Sequence, residues 1–133
     1  MTQKEQINCF IENFKTRNGR RNWKYIEDFF LEGCCFWFAQ ILKIRFPFGK
    51  ILYDLKNNHF LFYGGEDLNI EKNGIFDIRG EVTKAYLPWV LNGTVVEWNK
   101  YDDIAHKKRL WRDCITFTEK EPEINEIYFD LLF

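Results

Sequence analysis

The sequence predicts an α+β fold with a small, mainly antiparallel sheet, and three observations carry that expectation. Ile7, Phe10, Ile11 and Phe14 repeat at the spacing of one helical face. After Pro47 the pattern changes to short runs of branched and aromatic residues. Those runs are divided by Asn57-Asn58, Gly64-Gly65 and Asn73-Gly74, which are turn signals. Helices come first, then strands, then a helix, an order that separates the two kinds of element.

In chain order, the first helix is expected over about residues 3–16, stopped by Asn18-Gly19. Trp23, Tyr25, Ile26, Phe29 and Phe30 predict a second short helix ended by Gly33. Cys35 to Arg45 is apolar around most of its circumference, as a central buried helix is. Pro47 ends it, because proline disfavours helical geometry in the residue before it. Lys50–Leu55, His59–Tyr63 and Ile75–Arg79 read as strands, and Val95–Trp98 as a further one. Residues 80–94, with Gly80, Pro88 and Gly93, are expected to form a long irregular connection. Ile104, Trp111, Cys114 and Ile115 predict a helix over about 102–116. The acidic segment 117–133 has Ile124, Ile127, Tyr128 and Leu131 at helical spacing, which suits a docked helix or a partner-binding segment.

Composition bounds the function. The 133 residues fit one domain, 1–133, without repeats or linkers. Hydrophobic residues make up 46%, which excludes a disordered chain. A net charge of -1 argues against a dedicated nucleic-acid binder. The basic cluster Arg17, Arg20, Arg21 and Lys24 reads as a solvated loop, with phosphate or nucleic-acid contact as its weaker alternative. No run of about 18 apolar residues exists, so no membrane span is expected. The start of the chain is polar and lacks a secretory pattern, which makes the cytoplasm the expected compartment. Cysteines at 9, 34, 35 and 114 are then expected as thiols rather than a disulfide framework. Cys9 and Cys114 lie beside apolar stripes and read as buried. His106 is expected on the exposed face of the last helix. No spacing suggests a metal site, and no cofactor is implied.

Three residues carry the chemistry. Cys35 opens the buried helix, His59 begins a strand, and Asp77 lies in the next strand signal, between Phe76 and Ile78 and facing away from them. A helix N-terminus favours the thiolate, the nucleophilic form of cysteine. An imidazole beside it takes and returns the proton, and a carboxylate on the far ring nitrogen fixes the tautomer. Each residue also has a plainer reading: a buried small side chain, a satisfied core histidine, and a turn-capping carboxylate.

The run Gly33-Cys-Cys-Phe-Trp-Phe-Ala39, then Asn58-His-Phe60, then Phe76-Asp-Ile-Arg-Gly80, resembles the papain-like cysteine hydrolase superfamily, especially its small transglutaminase-like and NlpC-type branches. The resemblance spans about 33–80, the candidate catalytic core. It implies a Cys-bearing helix packed on an antiparallel sheet, with Cys35 as nucleophile, His59 as general base and acid, and Asp77 as the orienting group. It implies a peptidase, amidase, deamidase or transglutaminase-like activity through an acyl-enzyme, on a protein or peptide substrate. The chain departs from papain itself in its much shorter Cys-to-His interval. The adjacent Cys34 leaves a choice of nucleophile, in which Cys35 is preferred because it directly precedes the apolar run. The oxyanion donors are open: the Cys35 N–H is one candidate, and Asn22 or the Asn57-Asn58 region another. The alternative function is a non-catalytic binding or inhibitory module on a papain-like scaffold, such as a phage or mobile element uses to block a host factor. The aromatic fraction of 19% suits either a ring-rich core or a ring-lined site, with Trp37, Trp89 or Trp98 as candidate groove walls.

Overall fold

The computed structural model describes residues 1–18, 23–31 and 34–110. The basic cluster's Arg20 and Arg21, Gly33, the oxyanion candidate Asn22, Trp111, Cys114 and the acidic segment 117–133 lie outside the described residues. Thr2 starts helix α1 (Gln3–Asn18): its hydroxyl accepts the Glu5 N–H at 3.1 Å, satisfying a donor that the helix cannot. Ile7, Ile11 and Phe14 on that helix are fully buried. They pack with Ile26 and Phe30 of α2 (Trp23–Leu31). Helix α3 (Cys35–Arg45) follows and ends where sequence placed its end, with Phe46 N–H closing on the Leu42 carbonyl ahead of Pro47.

The strands are β1 (Lys50–Asp54), β2 (His59–Tyr63), β3 (Ile75–Asp77), β4 (Gly80–Glu81) and β5 (Val95–Glu97). They form one sheet in the order β4-β3-β2-β1-β5, with every neighbouring pair antiparallel. The α+β expectation therefore holds. The Asn57-Asn58 turn joins β1 to β2. Asp54 Oδ1 accepts the Lys56 and Asn57 N–H groups, and Asn58 takes the left-handed φ of 50° that asparagine tolerates. Lys50 to Asp54 then pair with Tyr63 to His59 in register.

The sheet is covered on both sides, and α3 serves two clusters on its side. Cys34, Phe38, Ile41 and Leu42 join α1 and α2 in one cluster with Phe62, Phe76 and Ile78. Cys35, Phe36 and Ala39 join Tyr53, Phe60 and Leu110 in another. On the opposite face Leu52, Leu61, Tyr63 and Ile75 meet Val82, Tyr86, Trp89 and Val90.

That second cover corrects the sequence reading. Residues 80–94 were expected as an irregular connection, yet they hold β4 and helix α5 (Thr83–Leu91). Gly80 (φ 103°) and Gly93 (φ 84°) mark the turns at either end of this stretch, not a break within it. Pro88 lies inside the helix and forgoes one backbone bond, while its own carbonyl still accepts the Asn92 N–H. The predicted strand 75–79 stops at Asp77 because Ile78 and Arg79 form a tight turn that pairs Asp77 with Gly80. A one-turn helix, α4 (Ile70–Asn73), was not anticipated. Helix α6 (Ile104–Leu110) lies within the expected 102–116, whose remainder falls outside the described residues. Cys9, expected buried, is exposed. His106, expected on an exposed face, is half-buried against Tyr53, with Tyr101 hydroxyl 2.8 Å from its Nδ1. No helix of the described residues is long and apolar enough to cross a membrane.

Phe62 is completely buried, and a Cβ on Gly49 would stand only 2.1 Å from its ring. Truncating Phe62 to Ala should therefore cost about 3–5 kcal/mol, read as a lower midpoint in urea unfolding at unchanged m-value.

Candidate functional site

All five residues of β2 are buried, so any polar group it carries must find a partner inside the protein. His59, its first residue, finds two. Its Nε2 lies 3.0 Å from Asp77 Oδ2. The Cys35 side chain, next to the strand start through the Phe60 N–H, acts electrostatically on the same imidazole. Cys35, His59 and Asp77 are thus brought together, from α3, β2 and β3.

The local backbone explains the meeting. The β2–β3 ladder pairs Phe62 with Phe76 and Tyr63 with Ile75, and the His59 end of β2 runs beyond it. There the Phe60 N–H donates to Cys35 Sγ at 3.4 Å, so sulfur occupies the place of a ladder acceptor. By the alternation of a strand, His59 shares its face with Leu61 and Tyr63, on the α5 side, whereas Phe60 belongs to the α3 side. The thiol comes from the α3 side and accepts the Phe60 N–H at the strand end, one residue from His59.

Electrostatics follow from this enclosure. Burial works against a charged His59, but hydrogen bonds to Asp77 and Cys35, with the charges of both, outweigh it and raise the imidazole to about 9. Burial of Asp77 favours its neutral form, yet the bonds from His59 and Arg79 hold it below the ordinary carboxylate value. Arg79, two residues on, wraps back around Asp77. Its backbone N–H reaches Oδ1 at 2.8 Å, its Nε lies 3.1 Å from each oxygen, and its Nη2 adds a short bond to Oδ2. His59 and Arg79 therefore share one carboxylate oxygen. Arg79 Nη2 also donates to the Tyr86 hydroxyl at 3.3 Å, and the Tyr86 ring stacks on His59 with centroids 6.4 Å apart.

Sequence reasoning missed Arg79 and Tyr86. Arg79 stood in the quoted motif without a role. Tyr86 lay in the stretch expected to be irregular, although Val82, Tyr86, Trp89 and Val90 have the spacing of one helical face. The two cysteines diverge: Cys34 packs in the α1–α2 cluster, and Cys35 in the cluster beneath β1 and β2. Helix α3 has no side-chain cap, and its Trp37 and Phe38 N–H groups donate to the Cys34 carbonyl. The Cys35 N–H, at the first helical position, lies ahead of those bonds, as an oxyanion donor must. The other candidate region is occupied. Asn57 Nδ2 donates to Asp54, and Asn58 Oδ1 accepts the Tyr53 hydroxyl. Trp98, edge-on to Phe36 and Phe60, walls an open groove of about 380 Å³ with Ile104, Lys107 and Lys108. Trp89 instead lies on the opposite face, under Lys56. Among the described residues no group of three or more His, Cys, Asp or Glu is arranged to hold a metal ion. Comparison with protein-family models, curated proteins and solved structures found no match.

The pH dependence of stability has a definite sign. The folded-state value of His59, about 9, exceeds its ordinary 6.5, so the stabilisation from its proton is complete below pH 6.5 and fades as pH rises towards 9. Asp77 acts oppositely and lends its stabilisation above the ordinary carboxylate range, losing it on acidification. Unfolding free energy should fall between pH 6.5 and 9, and His59→Gln should flatten that decline. Parallel slopes in urea titrations of the two proteins would refute the assignment.

Proposed function

We propose that the protein is a cysteine-dependent acyl-transfer enzyme in which Cys35 is the nucleophile, His59 the general acid and base, and Asp77 the group that orients His59. The observation that carries this reading is the placement of one imidazole between a carboxylate on Nε2 and a thiol at a helix start. A Cys35 thiolate adds to an amide, thioester or isopeptide carbonyl, and the C–S bond forms as the carbonyl electrons move to oxygen. The Cys35 N–H, at the first position of α3, is the donor proposed to stabilise that oxygen. As the intermediate collapses, the leaving nitrogen or sulfur departs with the His59 proton, and an acyl-enzyme remains. Water or an amine then attacks, gives its proton to His59, and releases the acyl group with the thiolate restored. Peptidase, amidase, deamidase and transglutaminase-like reactions all follow these steps, and a papain-like ancestry is consistent with them.

One observation favours a second reading, a non-catalytic binding or inhibitory module. Cys35, His59 and Asp77 are only 8%, 7% and 4% exposed, so a substrate has little direct access to the sulfur. One experiment separates the two. A thiol-directed acylating probe should modify wild-type protein and the Cys34→Ala variant but not Cys35→Ala, with the modified peptide identified by mass spectrometry. Cys35→Ala also removes the acceptor of the Phe60 N–H, so its folding should be confirmed by circular dichroism. Wild-type protein left unmodified at Cys35 would favour the binding module.

A further inference from the structure

We infer that Tyr86 is a positioning residue whose ring closes the Asp77–His59 bond to water. The inference concerns how the proposed triad is kept in order, and in that respect it rests on the proposed function.

The argument is one of layers. The inner layer is the ion pair, with His59 and Asp77 side chains 9% and 4% exposed. The outer layer is Arg79, whose side chain is 40% exposed, and the half-buried Tyr86. Tyr86 lies nearly parallel to the imidazole, at an interplanar angle of 24°. That arrangement is an offset stack, within the separation at which rings attract. Two independent anchors hold it there. Its ring packs from α5 against the cluster that holds Leu52, Leu61 and Ile75, and its hydroxyl receives Arg79 Nη2. The same guanidinium grips both oxygens of Asp77. One side chain, from the β3–β4 turn, therefore contacts the carboxylate and its cover together.

The consequence is chemical. A carboxylate–imidazole bond orients the ring best where water does not compete for it. The other charged and titratable groups facing this pair are Cys35 from α3, Arg79 from the β3–β4 turn and Asp54 from β1, the last acting on Tyr86. None of them is an aromatic surface that could replace Tyr86 over the imidazole. Removing the ring admits water to His59, frees its rotation and misaligns the imidazole. A misplacement of the order of 1 Å is enough to slow a reaction about a hundredfold.

The test reads the proton itself. The Nε2–H of His59 in a protected bond to a carboxylate should give a far-downfield proton resonance in water, absent in His59→Gln and retained in His106→Gln. That resonance should persist in Tyr86→Phe, which keeps the ring, and broaden away by solvent exchange in Tyr86→Ala. Tyr86→Leu, which preserves apolar packing without the flat ring, should also lose it, which separates cover from folding. Probe modification of Cys35 should slow about ten- to a hundredfold in the Ala and Leu variants and recover in Phe. A resonance missing from wild type, or equally sharp in all three variants, overturns the inference. A protein that shows the expected resonances yet leaves Cys35 unmodified keeps the positioning role and loses the acyl-transfer reading.

Discussion

An ionisable ring at the end of a strand buried on both faces is the constraint from which the rest of the site follows. Placing an imidazole on β2 without partners would cost several kcal/mol. The protein instead surrounds it: a carboxylate from the neighbouring strand, a thiol from the helix beneath, and a phenol ring from the helix above. Each partner comes from a different element, so the helix, sheet and second helix must all dock before the imidazole is satisfied. Fold and site are consequently one arrangement, and disturbing α5 disturbs the triad as directly as disturbing α3.

Much of the frame was legible because it rests on periodicity. The stripe of Ile7, Ile11 and Phe14, the mostly apolar Cys35–Arg45, and the paired asparagines at 57 and 58 announce a helix, a buried helix and a hairpin. The three site residues were visible for a related reason: each stands at an element boundary, where a thiol gains a helix end and a polar side chain gains a free ladder position. What lay hidden was tertiary. Gly80, Pro88 and Gly93 are all breakers by local rule, and their grouping masked a helix whose packing tolerates the proline. With α5 hidden, the Tyr86 cover and the role of Arg79 could not be inferred. Cys9 shows the same limit: it lies beside the apolar stripe, not on it, and an interval of one residue reverses burial.

The abundant rings divide into two populations. Phe14, Phe30, Phe38, Phe62 and Phe76 form an ordinary interior between α1, α2, α3 and the sheet. Phe36, Tyr53, Phe60, Trp98 and Tyr101 form a second group, arranged mostly edge to face. That second group surrounds Cys35 with low-polarity surface and continues outward to the groove at Trp98. Rings here serve stability in one half and the environment of the thiol in the other, a division made at the start of α3, where Cys34 just before the helix and Cys35 within it belong to different clusters.

The bond from Phe60 N–H to sulfur joins reactivity to mechanics. Sulfur stands where a sheet normally offers a carbonyl, so the last rung of β2 is made of the same atom that would carry an adduct. A substituent joined to this sulfur takes up one of its lone pairs and crowds the space in which the Phe60 N–H is accepted. Every derivatisation of Cys35 therefore loosens a rung beside His59, and amide hydrogen exchange at a single backbone position becomes a gauge of the chemical state of the thiol.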